Sequence, residues 1–286
     1  MGARGGPARP DRRVSMIHTY DVKREAVEQW THDPCGLCGA EGLEIGSQAF
    51  YARVDKNRYE EYAPWMKSTF EFAKFSGKKV LEVGFGMGTD LFQFASASAN
   101  VSGIDLSPEH LRIARQRFST AGLGADLRLA DAEDLPFEDA TFDAVYSFGV
   151  IHHTPDAEKA VTEIRRVLKP GGQATIGVYH RYSAHYLFYI LLESYLLRLR
   201  FLRESYRRTL SRVEYRSHSN ACPLVKLYSR RSLRCLLRSF REIRIECRHL
   251  DRAHFGKLGW LIPRGVVSRL ERRGILGWYL IAKCVR

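Results

Sequence analysis

Three successive apolar runs in this chain end in carboxylates and glycines, at a spacing that suits recognition of one small ligand. The first run closes on Glu82-Val83-Gly84-Phe85-Gly86-Met87-Gly88. Glycines at 84 and 86 permit a sharp turn and a close backbone approach just ahead of a helix. A dinucleotide turn would put its third glycine at position 89, where Thr89 stands. Glu82 at the strand tip would repel a pyrophosphate and suit an ammonium group, and no Lys-Ser/Thr follows in triphosphate-loop spacing. Asp105 ends the second run and can accept from both hydroxyls of a ribose. Asp131 follows the third and can accept from an exocyclic amino group, as adenine offers. Singly, these are ordinary turn and strand-end residues. In register they describe a ligand with an ammonium group, a ribose and an amino-base but no phosphate. On this reading Asp105→Ala loses the ligand and keeps the fold.

His152 and His153 follow the fourth run at the mouth of the same site and are candidate general bases. Loop histidines that satisfy backbone groups are the alternative. Tyr59 and Tyr62, ahead of the first run, are candidates to cover the ligand or to fill core. A single Cys-x-x-Cys, Cys35 and Cys38, falls short of the four ligands of a structural zinc site, so no metal is expected.

The elements needed to position these groups alternate. Lys79 to Val83 is a short apolar run ended by glycines, as in a buried strand, and DLFQFASA follows with helical spacing. VSGID is a second strand. Ser107-Pro108-Glu109 starts a helix, with serine as the cap and proline in the first turn. DLRLA and FDAVYSF are further strands, and a helix spans about 157–168. Lys169-Pro170-Gly171-Gly172 is a stop and turn before a fifth strand, QATIGVY. EIRIECRHL and GWYLIAKCV add a closing pair after an insertion. Alternating β and α of this kind predicts a doubly wound, mostly parallel sheet with its ligand beyond the carboxyl ends of the strands.

At these residues the chain resembles the class I S-adenosylmethionine-dependent methyltransferases. VLEVGFGMG, GIDLS, ADAEDLPFEDATFDAVYSFGVIHHTPD and RRVLKPGG follow that family's motifs in order. The closest resemblance covers about residues 78–180 and lies with enzymes acting on small molecules and quinone-like lipids. Weaker likeness, in HDPCG and RYEEYAPW, is to bacterial enzymes of unassigned substrate. The resemblance implies a Rossmann-like sheet of seven strands, the last antiparallel, and S-adenosyl-L-methionine as cofactor. It carries cofactor contacts onto Gly84, Gly86, Asp105, Leu106, Asp131 and Ala132, with Ser147 or Phe148 near the methionyl end; Glu82 joins them as the ammonium partner. Phe85 departs from the small residue common there. SFGV stands where enzymes that methylate base or amide nitrogens carry Asn/Asp-Pro-Pro-aromatic, which favours oxygen or carbon as the methylated atom.

The 286 residues, 45% hydrophobic and 27% charged, are globular in composition. A tail (1–20) is expected to be disordered, followed by a helical cap (21–77), the cofactor core (78–180), an inserted acceptor or lid lobe (181–228) and a segment completing the sheet (229–286). The net charge of +13 is uneven: residues 78–180 carry 10 basic and 14 acidic side chains, residues 181–286 carry 24 and 7. The apolar stretch from Tyr186 to Leu202 lies beside this basic region. It reads as a lid over a small-molecule acceptor or as a contact with an anionic membrane surface. Nucleic acid is the other anionic partner, which would make an RNA methyltransferase, although no RNA-binding module is recognisable. A non-catalytic cofactor-binding protein is the third reading. Six cysteines read as reduced thiols, and with no apolar leader segment the expected compartment is the cytoplasm.

Overall fold

The computed structural model describes residues 12–37, 39–214 and 221–286, with side chains from residue 21 onward. Helix α1 (Arg12–His32) precedes α2 (Gln48–Lys56), a π-helical turn (Asn57–Tyr62), α3 (Met66–Phe70) and a 3-10 turn (Phe72–Phe75). The core then runs β1 (Lys79–Val83), α4 (Thr89–Ser96), β2 (Asn100–Asp105), α5 (Pro108–Thr120), β3 (Asp126–Leu129), β4 (Phe142–Phe148), α6 (Ala157–Val167) and β5 (Leu168–Tyr179). The insertion holds a π-helical segment (His185–Leu197), 3-10 turns at Arg200–Leu202 and Arg212–Glu214, and α7 (Tyr206–Ser211) between those turns. The chain closes with α8 (Arg230–Leu236), β6 (Arg241–Arg248), a 3-10 stretch (Arg252–Leu261), α9 (Arg264–Arg272) and β7 (Tyr279–Val285).

The seven strands form one sheet in the order β3-β2-β1-β4-β5-β7-β6. β7 runs antiparallel to both neighbours while β3, β2, β1, β4 and β5 pair in parallel, as the motif order implied. Strand side chains alternate between faces, and two cores result. Val80, Val101, Tyr146, Tyr279 and Ile281 join one, with Phe70, Phe72 and Phe94. Leu81, Ile104, Val145, Leu280 and Ala282 join the other, with α6 and α8.

Two expectations change. Helix α1 begins at Arg12, inside the tail expected to be disordered; residues 1–11 lie outside the described residues. Val22, Ala26 and Gln29 are buried against the core, and a helix nucleated there extends toward its N-terminus at little further cost. Lys169–Gly172 lies within β5. The register steps from Phe142↔Leu168 to Ala144↔Gln173, so the turn residues bulge out of a continuing strand, with Gly171 at φ +77°.

Candidate functional site

The carboxyl ends of β1, β2 and β4 open into a pocket of about 330 Å³ roofed by α1 and the insertion. That volume is in the range of small-molecule sites. Of the residues singled out in the sequence, Glu82, Gly84, Gly86, Asp105, Leu106, Asp131, Ala132, Phe148 and His153 line it. Ser147 and His152 are not among the lining residues.

One end is acidic. Gly84 has φ +78°, and a Cβ there would come within 2.1 Å of Val150, so no larger residue fits the turn. Asp105 is already well occupied. Its Oδ2 accepts the Gly86 N–H at 2.8 Å, and its Oδ1 accepts the Ser107 N–H at 2.9 Å. His110 Nε2 accepts the Cys35 N–H, which leaves Nδ1 to donate to Asp105 Oδ1 at 3.0 Å. A carboxylate offers about four lone-pair positions, so room for a ribose hydroxyl remains, but the side chain also holds the turn together. The expectation that Asp105→Ala spares the fold is therefore corrected.

Glu82 is buried and its Oε2 has no hydrogen-bond partner. Burial, then the charges of Asp90 and Asp105, raise its pKa well above the usual carboxylate range against the pull of Arg58. An ammonium group placed here would satisfy the orphaned oxygen. Asp90, one turn along, is saturated: Arg58 grips it at 2.9 and 2.5 Å, and the hydroxyls of Tyr59 and Tyr146 donate at 2.6 and 2.8 Å. Burial alone would raise its pKa, yet those partners lower it. Asp131 is bridged from α1, since Lys23 Nζ reaches Asp131 Oδ2 at 2.5 Å and Glu133 Oε2 at 2.6 Å. Burial pulls that ammonium down, but the two acids outweigh it and its pKa is raised.

The other end is aromatic. Trp30, Tyr62, Phe148, Tyr179 and Tyr279 line it, and the Tyr62 and Tyr279 hydroxyls meet at 2.6 Å. Glu214, carried in by the insertion, accepts the Tyr179 O–H at 2.6 Å on Oε1. His153 Nε2 faces the same oxygen at 3.5 Å. His153 Nδ1 lies 2.6 Å from the Leu224 carbonyl, which can only accept, so Nδ1 carries a hydrogen. In the neutral ring, Nε2 then presents a lone pair toward a carboxylate.

His152 is different. It is fully buried, its ring lies 3.9 Å from that of Tyr179, and neither nitrogen has a partner. Burial, then His153, holds its pKa well below the ordinary value. As a pocket base it is corrected to a core side chain. Ser147 is likewise buried with an unpartnered hydroxyl, because strand alternation turns it away from the face that presents Phe148. His152, His153 and Glu214 bring their ligand atoms within 4.8 Å of one another, and Glu214 Oε1 already accepts from the Tyr179 hydroxyl. Cys38 lies outside the described residues.

Lys23, Arg58, Asp90, His110 and Glu214 escaped the reading of the sequence. RYEEYAPW contains Arg58, Asp90 stands two residues past Gly88, and His110 directly follows Ser107-Pro108-Glu109, so signals lay beside these three; Lys23 and Glu214 lie in segments without a motif.

Residues 81–176 match the methyltransferase domain family. Over 128 residues the chain is 36% identical to the ubiquinone biosynthesis O-methyltransferase of Thiobacillus denitrificans, covering 44% of this chain and 55% of that protein. Over 95 residues it is 34% identical to a sterol 4-C-methyltransferase of Caenorhabditis elegans, covering 32% of this chain and 28% of the other. The chain spans about half the length of the ubiquinone-pathway relatives it matches. A Haloferax volcanii methyltransferase, solved with the Trm112 activator, superposes with a TM-score of 0.55 at 23% identity, over 83% of this chain and 94% of that one. That likeness is one of fold.

Proposed function

We propose that this chain, whose residues 81–176 match the methyltransferase domain family, is a class I S-adenosylmethionine-dependent methyltransferase that methylates a hydroxyl oxygen of an apolar small-molecule acceptor. Bound S-adenosylmethionine supplies an electrophilic sulfonium methyl group. Glu82 would take its ammonium group, Gly84 and Gly86 would let the turn approach it, and Asp105 would hold the ribose with Leu106 beside it. Asp131 and Ala132 would face the adenine, and Phe148 would flank the methionyl end.

The observation that carries the reading is the junction of that acidic end with an aromatic end holding His153 against Glu214. A hydroxyl bound beside the pair, within reach of Nε2, gives up its proton to His153, and Glu214 stabilises the imidazolium. The oxygen is then free to attack in line. Positioning of this kind removes roughly 7–11 kcal/mol from a barrier, and a placed base adds about 10²–10⁴-fold in rate. A hydroxyl gives up its proton directly to a base placed in this way, and the similarity to a ubiquinone biosynthesis O-methyltransferase supports oxygen as the methylated atom. The acceptor would come from an anionic lipid surface. Among the described residues no helix is long and apolar enough to cross a membrane, so the contact would be peripheral.

Tritiated-methyl transfer from labelled S-adenosylmethionine into a lysate, fractionated into lipid, small-molecule, RNA and protein pools, tests this. Label should enter the lipid or small-molecule pool. Label in RNA would give the basic C-terminal third a nucleic-acid role, and cofactor binding without any transfer would make the chain non-catalytic.

A further inference from the structure

Two segments distant in sequence leave large apolar side chains in water. Around the end of the π-helical segment, Leu197 and Leu202 are each 69% exposed. In the 3-10 stretch after β6, Trp260 is 74% exposed and Leu261 58%. One buried carboxylate ties the two segments together. Glu193 Oε1 accepts from Arg198 at 2.7 Å, and its Oε2 accepts the Lys257 N–H at 2.8 Å. Gly256 makes that approach possible, since a Cβ there would stand 2.2 Å from Glu193 Oε2. Beneath, the rings of Phe188 and Phe255 meet at 5.3 Å. The exposed apolar side chains are thus held by design of the chain, where a folded protein in water keeps such patches small.

The surroundings are cationic. Residues 193–212 hold six arginines and two glutamates, and residues 257–273 hold five basic residues and one glutamate. Arg198, Arg203, Lys257 and Arg264 are exposed. Like charge argues against a second copy as occupant. Trp260 could stack on a base, but Leu197, Leu202 and Leu261 around it offer no stacking face, and sequence-tolerant nucleic-acid binding rests on successive aromatic platforms. We propose that this face docks the protein on an anionic phospholipid bilayer, with Trp260 and the leucines at the boundary between headgroups and acyl chains and the basic side chains at the phosphates. That is the division of labour of interfacial protein segments. It stands independently of the methyl-transfer reading.

The test is co-sedimentation with vesicles of phosphatidylcholine and phosphatidylglycerol, and with phosphatidylcholine alone, at low and physiological salt. The protein should pellet with the mixed vesicles at low salt and partly release as screening shortens to about 8 Å. Its tryptophan emission should shift to the blue, a shift lost in Trp260→Phe. The triple variant Leu197→Ser, Leu202→Ser, Trp260→Ser should partition about tenfold more weakly or worse. Its thermal midpoint and cofactor affinity should stay unchanged, because these side chains are exposed. Wild-type protein left in the supernatant at low salt overturns the proposal, as does a triple variant that pellets equally well. A dimer in sedimentation velocity that the triple variant breaks, or RNA retention without vesicle binding, would hand the face to another occupant and also overturn it.

Discussion

His153 and His152 are adjacent in sequence and opposite in role. His153→Gln removes the lone pair that faces the acceptor, so turnover should fall by about 10²–10⁴-fold with cofactor affinity retained; single-turnover transfer beside calorimetric titration separates the two. His152→Leu removes a buried ring with no hydrogen bonds to lose, and the folded state should be unchanged or more stable, by up to roughly 1–3 kcal/mol. A marked loss of turnover in that variant would restore His152 to the site. Asp105 serves both ligand and turn. Asp105→Asn keeps an oxygen for the turn and loses the charge, and it should bind the cofactor about tenfold to a hundredfold more weakly by titration. Asp105→Ala should in addition lower the thermal midpoint, because the Gly86 and Ser107 N–H groups lose their acceptor. Glu82, Asp105 and Asp131 were legible from sequence because each stands at or just past the carboxyl end of a strand, whereas Asp90, inside α4, was not. Nor was the aromatic end, since Trp30, Tyr62, His153, Tyr179, Glu214 and Tyr279 meet only when the sheet closes.

Among the elements, α1 is the one whose place the sequence left open. Its docking rests on Val22 and Ala26 in the core and on Lys23 bridging Asp131 and Glu133, an ion pair spanning 108 residues of chain. No local pattern announces such a contact. The bridge also puts Lys23 in competition with an adenine amino group for Asp131. Lys23→Met should leave the sheet intact while amide exchange along α1 quickens by up to about tenfold, the worth of a partly exposed ion pair. Hydrogen exchange resolved by peptide would show it; unchanged protection across α1 would mean that Val22 and Ala26 hold the helix unaided. Strands were the easier elements to read. Val80/Leu81 and Val145/Tyr146 divide between the two cores as period-two alternation requires, whereas the π-helical insertion follows no period that a sequence window displays.

Across the whole molecule, three histidines join the insertion to the strand pair that completes the sheet. His254 lies 5.0 Å from His185 and 4.9 Å from His249, ring to ring. Burial, then the neighbouring imidazole, takes His185 and His254 down to about 3; burial and His185 take His249 to about 4 against the pull of Asp251. His249 and His254 each accept an N–H at Nδ1, from Trp65 and from the Asp251 backbone, as neutral rings do. The unfolded chain takes up protons at about 6.5 and the folded cluster only near 3–4. Its stabilisation is therefore complete above about pH 6.5 and is lost as pH falls toward 4, on the order of 2 kcal/mol per histidine between about pH 7 and about pH 5. Denaturant midpoints across that window should drop steeply in the wild type and less so in His185→Phe. A flat profile would mean that the cluster is not sealed.

The antiparallel strand has one more consequence, which belongs to the making of the chain. β7 lies between β5 and β6 in space, yet it follows both in sequence. From the emergence of Tyr179 until that of Tyr279, the inner edge of β5 has no partner. At about 5–20 residues per second this interval lasts several seconds or more, during which an open strand edge invites foreign pairing. Tyr279 arrives with β7 and meets Tyr62 from the other end of the core. A nascent chain can thus build the acidic half of its pocket early, while the aromatic half waits for the last strand to be threaded in.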